Sequence, residues 1–453
     1  MSSVQRGRGL FGISLTAALA GFIFGFDMVV ISGADKDIQA LWNTSAWFHG
    51  FFIMSMALWG TVIGSVFGGG PTDRFGRKKV LLLVGLLFTL SAIGSALAQD
   101  PYTFSFFRLI GGIGIGISSV AAPTYISEIS TPASRGRLVA MYQFNIVFGI
   151  LVAYLSNYLL SGFGGDNDWR WMLGVMTIPA LIYSVMVFGI PESPRWLVAA
   201  KKDRTAAAEV MSRLGMQEGD MLQETPAAGH GGVSGGKASV LLQPRYNRIM
   251  WLAFLIAFFN QVSGINFILY YAPRILAAAG LATEESLLNS IAIGGTNLVF
   301  TFVGLYLIDK LGRKTLLLIG SIGYVVSLSM VAYAFQAGAS PSFLLTFLLM
   351  FIAAHAIGQG AVIWVFISEI FPNHIRGLGQ AFGASIHWVF AAIITLVAPV
   401  FIDEVEGIFK DNPWPIFAFF AVMMAVQLVW VLAKVPETKG VSLEALEKQL
   451  VKD

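Results

Sequence analysis

Apolar runs of about 20 residues recur along this chain, each nearly free of charge, and they bound what it can become more tightly than any other feature. Their approximate positions are 10–33, 48–70, 79–98, 102–127, 138–161, 170–190, 248–273, 286–308, 314–335, 342–368, 378–402 and 414–434. A run of that length, coiled as an α-helix, spans the hydrocarbon of a bilayer. No water is available there to bond the backbone, so each run must satisfy its own N–H and C=O groups, and each is expected to be a helix. The strict alternation of a membrane β-barrel is absent. A large soluble protein with many buried helices is the competing reading. Only 12% of the residues are charged, against about 25% in soluble domains, and long charge-free runs weigh against it. The chain has no Cys and only five scattered His, which excludes disulfides and argues against a zinc site. A net charge of +3 gives no footprint for nucleic acid. Arg6 and Arg8 followed by apolar residues from Leu10 resemble a signal peptide. No small-residue cleavage site follows before Gly33, so a retained first helix is expected.

Three polar motifs occur twice, in the same order in each half. Asp73-Arg74-Phe75-Gly76-Arg77-Lys78-Lys79 returns as Asp309-Lys310-Leu311-Gly312-Arg313-Lys314-Thr315. Ser127-Glu128-Ile129 with Arg135-Gly136 returns as Ser368-Glu369-Ile370 with Arg376-Gly377. Pro191-Glu192-Ser193 returns as Pro436-Glu437-Thr438. The chain is therefore expected to hold two homologous halves, a plan found in transporters. The expected divisions are 1–190 and 248–435 for the two six-helix bundles, 191–247 for a cytoplasmic linker and 436–453 for a tail. Within the linker, apolar residues at helical spacing from Trp196 to Leu214 predict short amphipathic surface helices. Its Gly-rich stretch 226–236 predicts a flexible link, and Leu443 to Leu450 predicts a short helix in the tail. Loops after even-numbered spans carry Arg74, Arg77, Lys78, Lys79, Arg135, Arg137, Lys201, Lys202, Arg204, Lys310, Arg313, Lys314 and Arg376. The opposite loops carry Asp35, Asp37, Asp100, Asp166, Asp168, Glu284, Glu285, Asp403, Glu404 and Glu406. Because basic loops stay in the cytoplasm, both termini are expected to be cytoplasmic, in a multi-pass protein of the inner cell membrane.

The basic loops serve as topology signals at the least. Their fixed Asp-x-x-Gly-Arg order points further: the glycine permits a tight turn, and Asp73 and Asp309 stand where they can cap that turn or pair with Arg77 and Arg313. Glu128 and Glu369, at the ends of their spans, are placed to meet arginines from neighbouring loops. Two readings follow, an ion-pair latch that breaks as the cytoplasmic side opens, and a permanent structural network.

Asp27 lies well inside the first run, with no base near it in sequence. A carboxylate in hydrocarbon costs several kcal/mol unless paired or protonated, and Arg108 is the deep base of the same half. A carboxyl balanced between burial and a guanidinium can load and release a proton; a permanent ion pair and a solvated acid near the outer surface are the alternatives. The seventh run is unusually polar, Asn260-Gln261-Val262-Ser263-Gly264-Ile265-Asn266, and Gly264 and Pro273 are expected to bend or break it. Gln143, Asn297, Gln359, Trp364, His387 and Trp388 place further amides and aromatic rings mid-span. Amides that donate and accept, with flat apolar rings, suit a neutral polyhydroxyl ligand. Knitting helices together is the alternative role for each amide. Gly111, Gly112, Gly114 and Gly116 lie in an apolar helix without Lys, which favours close helix packing over a nucleotide loop.

These motifs together resemble the sugar porters of the major facilitator superfamily, over essentially the whole chain. The resemblance rests on the twin loops, Arg108 through Gly112, Glu128 with Arg135-Gly136-Arg137, Pro191 through Leu197, Gln261 to Tyr271, and Pro436 through Gly440. It implies an all-α membrane protein, a twelve-helix fold of two pseudo-symmetric six-helix bundles around a central cavity, working by alternating access without catalysis. It implies that Gln143, Gln261, Asn266, Asn297 and Trp388 contact sugar, that Trp364 packs near the cytoplasmic gate, and that Tyr270 and Tyr271 belong to the outer gate. An Asp at position 27 beside Arg108 is what proton-coupled members carry. The pattern departs at Asn260, where a glutamine is usual, at His387, where an amide is common, and at Gly360-Ala361-Val362-Ile363-Trp364, which lacks the usual proline. The expected function is proton-coupled uptake of a hexose or pentose, with H+ as coupling ion, no cofactor and no obligate protein partner, as a monomer in the lipid bilayer. A proton-independent facilitator or an inositol porter is the alternative. A sugar sensor would be expected to carry a long signalling tail, which this sequence lacks.

Overall fold

The apolar runs dictate the architecture, and the computed structural model, which describes residues 3–214, 216 and 240–451, turns them into helices throughout. We number the long ones α1 (Ser3–Trp42), α2 (Ala46–Met54 with Met56–Phe67), α3 (Arg77–Leu97), α4 (Pro101–Ile129), α5 (Pro132–Leu160), α6 (Gly165–Gly189), α7 (Pro244–Ala278), α8 (Thr283–Leu311), α9 (Arg313–Ala337), α10 (Pro341–Ile370), α11 (Arg376–Ile402) and α12 (Trp414–Lys434). Eleven are single spans by length and composition, and α2 is a pair bent by 41° that makes a twelfth. Packing repeats between the halves. The pairs α1–α5, α2–α4 and α3–α6 have counterparts in α7–α11, α8–α10 and α9–α12. The halves meet through α5 on α8, α2 on α11 and α1 on α7. Small residues let helices approach closely, as expected for the fourth run: a Cβ on Gly112 would lie 1.9 Å from the Ala57 carbonyl oxygen of α2.

One boundary differs from the sequence reading. The first helix does not stop near Gly33 but runs to Trp42. Asp35, Lys36 and Asp37 interrupt the apolar pattern without interrupting the helix, and Asp35 is buried there against polar partners. As expected, the seventh span is broken at Gly264, whose φ of +87° closes one helix and opens the next, and it kinks again at Tyr271, two residues before Pro273.

The twin loops lie at one end of the bundle, the motif end. Gly76 and Gly312 have φ of +95° and +92° and immediately precede α3 and α9. A Cβ on Gly312 would come within 2.5 Å of Glu437 Oε2, and one on Gly76 within 2.4 Å of Glu192 Oε2. Gly312→Ala therefore meets both a left-handed backbone and a carboxylate. A destabilisation of roughly 1–3 kcal/mol is expected, read as a lower melting temperature of the purified protein; an unchanged melting curve would contradict this account. The short helices expected in the linker and tail are present as Pro194–Ala199, Arg204–Leu214 and Leu443–Leu450. The Gly-rich stretch 226–236 lies outside the described residues.

Candidate functional site

Asp27 of α1 and Arg108 of α4 are brought together in the interior of the first half, with relative exposures of 0% and 1%. Arg108 Nη1 donates to Asp27 Oδ1 at 2.5 Å and Nη2 donates to the Asp27 carbonyl oxygen at 3.2 Å. Among the described residues, the other carboxylate oxygen, Oδ2, has no hydrogen-bond partner, and neither does Arg108 Nε. A buried ion pair gains little unless its remaining polar atoms are also satisfied. Here half the carboxylate is left over, so a proton placed on Oδ2 removes the charge and loosens the hold on Arg108. Tyr270 of α7, also buried, lies close enough to be influenced by both charges. Thus the acid pair of one half faces a helix of the other.

The break at Gly264 gathers the amides of α7. Asn266 Nδ2 donates to Gln261 Oε1 at 2.8 Å, and Gln261 Nε2 donates to Asn260 Oδ1 at 3.0 Å. The same nitrogen stands 3.2 Å from His387 Nε2 and 3.3 Å from His387 Nδ1 of α11. The His387 ring packs 4.9 Å from Trp364 of α10 and 4.7 Å from Trp388, centroid to centroid. Trp388 in turn meets Phe24 of α1 at 5.6 Å. Seven residues from four helices, α1, α7, α10 and α11, thereby form one polar and aromatic cluster where the halves meet. Trp364 remains 38% exposed. Gln143 on α5 is half-buried and Asn297 on α8 is buried. Tyr271 is buried and donates from its hydroxyl to the Thr395 carbonyl oxygen of α11 at 2.8 Å.

Gln359 lies elsewhere. Its amide donates to Gln427 Oε1 of α12 at 3.1 Å, and Gln427 donates to Ser321 Oγ of α9 at 2.8 Å. Residues Ala356–Gly360 form a π-helical segment. The extra residue in that wide turn rotates the face, which takes Gln359 away from the cluster and into the packing of α9, α10 and α12.

At the motif end each half builds its own network. Arg77 Nε and Nη2 donate to the two oxygens of Glu128 at 2.9 and 2.8 Å, and Asp73 pairs with Arg77 at 3.1 Å. Arg313 repeats this with Glu369 at 3.1 and 2.8 Å and with Asp309 at 3.3 Å. Arg135 Nε donates to the Ser127 carbonyl oxygen at 3.2 Å, Arg137 is exposed, and Arg376 opens α11 half-buried. The third repeated motif explains itself here. Glu192 accepts from the backbone N–H groups of Arg77 and Lys78, and Glu437 from those of Arg313 and Lys314. Each carboxylate thus caps the N-terminus of a long helix, where unpaired N–H groups and the dipole favour negative charge. Sequence reasoning saw this repeat but not that role. Burial works against charge on Glu437, yet the N–H groups of Lys439, Arg313, Lys314 and Thr438 hold its carboxyl below the ordinary 4.5. A lowered folded value means the stabilisation is present above pH about 4.5 and is lost as pH falls through the folded value. Acid unfolding of Glu437→Gln is expected to depend less on pH below that range than the parent's; parallel curves would contradict the capping role.

The far end holds a cluster that sequence reasoning missed. His49 Nε2 bonds Asp35 Oδ1 at 2.7 Å, Arg274 Nε lies 2.7 Å from Asp35 Oδ2, and Arg274 Nη1 lies 3.5 Å from Asp403 Oδ2. Gln39 donates to Asp403 at 2.6 Å and accepts from Arg274 at 2.7 Å. Lys36 pairs with Glu404, and the Ala46 N–H donates to Glu406 at 2.8 Å. Nearby, Tyr154 of α5 donates to the Leu269 carbonyl oxygen of α7 at 2.6 Å. These bonds join the two halves, so this end is closed. Asp35, Gln39, His49, Arg274 and Asp403, spread over four separate segments, carried no local signal beyond an acidic loop.

Comparison with known proteins matches this arrangement. The family described as sugar (and other) transporters matches residues 13–450. A glucose transport protein of Synechocystis is 35% identical, covering 96% of each chain. An arabinose-proton symporter of Bacillus subtilis is 34% identical, covering 97% of this chain and 95% of its own. The inward-open conformation of the xylose transporter of E. coli superposes with a TM-score of 0.82 at 30% identity, over 97% of this chain and all of the other. With nearly its whole length matched, the chain belongs to the sugar transporter family of the major facilitator superfamily, a family of transport proteins and not of enzymes.

Proposed function

We propose that the chain is a proton-coupled monosaccharide symporter, carrying a hexose or pentose across the cell membrane by alternating access. The observation that carries this reading is the buried Asp27, held by Arg108 through one oxygen while the other stays unpartnered. Such a carboxyl is poised between a paired, ionised state and a protonated, released one. The relatives named as an arabinose-proton symporter and a glucose transport protein support the same class of cargo. The two bundles, 1–190 and 248–435, would each move as a body about the linker 191–247, with 436–453 as a tail, and a single copy holds all the parts needed.

The basic loops of the motif end put that end in the cytoplasm by the positive-inside rule, with both termini there. The closed far end is then the outer gate. In this scheme a proton from outside neutralises Asp27 and frees Arg108 while the outer gate is open. Sugar hydroxyls replace the bonds that Gln261 makes to Asn260, Asn266 and His387, with Trp388 and Trp364 against the ring. Gln143 and Asn297 contribute from the facing helices. Tyr270 and Tyr271 close over the site, and the networks of Arg77 with Glu128 and Arg313 with Glu369, alongside Arg135, Arg137 and Arg376, loosen to open the cytoplasmic side. Loss of the proton inside restores the Asp27–Arg108 pair. Gln359, tied to Gln427, is left out of this set.

The test is uptake of labelled monosaccharides into sealed proteoliposomes. Sugar is expected to rise above its outside concentration under an inward proton gradient and to run back when a protonophore is added. Equal equilibration with and without the gradient would instead make the protein a passive facilitator. A panel of hexoses, pentoses and inositols identifies the cargo.

A further inference from the structure

We propose that Tyr324 of α9, backed by His355 of α10, is a positioning residue for the cargo site: its hydroxyl holds Ser263 and so fixes the break in α7 that aims Asn260, Gln261 and Asn266. This role rests on the reading of those amides as the groups that meet the sugar.

The break at Gly264 frees backbone groups that a continuous helix would pair. The Gly264 N–H bonds the Gln261 carbonyl at 3.0 Å, which leaves the Asn260 carbonyl without its regular helical donor. Ser263, fully buried, repairs both sides of the break. Its hydroxyl donates to the Asn260 carbonyl oxygen at 2.6 Å and accepts from the Ile265 N–H at 3.3 Å. A hydroxyl has one proton to give and two lone pairs. With that proton spent on Asn260, Ser263 can meet the Tyr324 hydroxyl, which lies within its reach, only as an acceptor. Tyr324 then gives its proton to Ser263, and its oxygen accepts from His355 Nδ1, 2.7 Å away. The bonds run one way, from His355 through Tyr324 and Ser263 to the backbone of Asn260. This order places a proton on Nδ1 of His355.

The first half shows that packing alone does not require these polar groups. Tyr324 stands eleven residues after Arg313, as Phe88 stands eleven after Arg77. His355 stands fourteen before Glu369, as Gly114 stands fourteen before Glu128. The two pairs meet in the same way: the Phe88 ring would lie 3.2 Å from a Cβ on Gly114, and the rings of Tyr324 and His355 are 6.0 Å apart, centroid to centroid. Phe88 and Tyr324 are both fully buried. The halves differ in the helix these pairs serve. Helix α1 runs unbroken from Ser3 to Trp42, whereas its counterpart α7 breaks at Gly264. A buried hydroxyl is costly unless it is bonded, so a tyrosine where phenylalanine would pack marks a bond that the fold uses. The polar pair occurs in the half whose span is broken and not in the other.

Exchange of labelled for unlabelled sugar reads this role, in proteoliposomes at equal pH on both sides so that proton coupling does not enter. D-glucose, D-galactose, D-xylose and L-arabinose are offered in turn. Tyr324→Phe should raise KM about 3- to 10-fold, the effect of one hydrogen bond, and leave the maximal rate nearly unchanged. Ser263→Ala should raise KM at least as much, and the double variant no further than Ser263→Ala alone, because residues acting through one contact do not add. Ser321→Ala, one turn back on α9 and bonded to Gln427 of α12, should lower the melting temperature with KM unchanged. Isotope labelling of the histidine nitrogens for NMR needs no variant of Tyr324. The His355 signal, identified by its loss in His355→Asn, should be that of a ring protonated on Nδ1. The proposal is overturned by an unchanged KM in Tyr324→Phe, by effects that multiply in the double variant, by an equal rise in Ser321→Ala, or by a His355 ring protonated on Nε2 alone. Gln261→Ala separates the positioning role from the site beneath it. If Gln261→Ala raises KM and Tyr324→Phe does not, only the positioning role falls; if neither does, the site falls with it. A parent that exchanges none of these sugars also removes both.

Discussion

Asp27→Asn is expected to reduce sugar accumulation from many-fold to none, while leaving exchange of labelled for unlabelled sugar measurable. The amide has the shape of the carboxyl but cannot trade a proton. In the parent, Arg108 Nη1 is held at 2.5 Å by a charge that comes and goes. In the variant it faces a permanently neutral partner, the state that the protonated carboxyl occupies for only part of the cycle. If each sugar travels with one proton, an inward gradient of two pH units can sustain up to about 100-fold accumulation. That ratio should fall to one in the variant, because nothing ties the sugar's movement to the gradient. Exchange survives because it needs the sugar to bind and the halves to rock with no net movement of protons. Arg108→Ala removes the other partner and leaves a buried carboxylate alone, which costs about 3–5 kcal/mol in typical buried pairs. It should again lose accumulation, because no cation remains for the ionised carboxylate to pair with. Concentrative uptake that survives Asp27→Asn would move the coupling proton to another group.

How far the sequence led depended on how few options each stretch had. In hydrocarbon an apolar run has only the helix open to it, so the twelve spans were legible, and repetition of the loops made the two halves legible with them. Asp27 and Arg108 were found because a deep acid and a deep base in one half have few other partners. The amides of α7 stood out because they crowd into a few residues. What failed was anything that needed three dimensions to assemble. Asp35 looked like an outer-loop acid because charge marks span ends, yet it is buried seven residues before Trp42 within a continuing helix. Its meaning depends on Arg274 and Asp403, more than 200 residues away. Gln359 was placed with the sugar-facing amides because it lies mid-span, whereas in the structure, from the π-helical turn Ala356–Gly360, its amide bonds Gln427 of α12. Glu192 and Glu437 were visible as a repeat, but their task as caps depends on where α3 and α9 begin in space.

Gln261→Ala should raise the KM for sugar by about 30- to 1,000-fold, the effect of losing roughly two or three hydrogen bonds at about 1–1.5 kcal/mol each. Gln261 is the hub of the cluster. Its oxygen accepts from Asn266 at 2.8 Å, and its nitrogen is within reach of Asn260 at 3.0 Å and of His387 at 3.2 Å. With sugar absent these internal bonds keep buried amides satisfied. With sugar present the hydroxyls take over the same donors and acceptor, so binding exchanges one set for another and desolvates little. Alanine at this position takes from the loaded state the groups that would bond the sugar, while Asn260 and Asn266 lose their partner in the empty state, which offsets part of that loss. Gln359→Ala provides the contrast. Both residues are buried amides, but Gln359 is bonded into the α9–α10–α12 packing through Gln427. Its loss should lower the melting temperature and leave KM where it is. If the two substitutions act alike on KM, the cluster around Gln261 is not where the cargo sits.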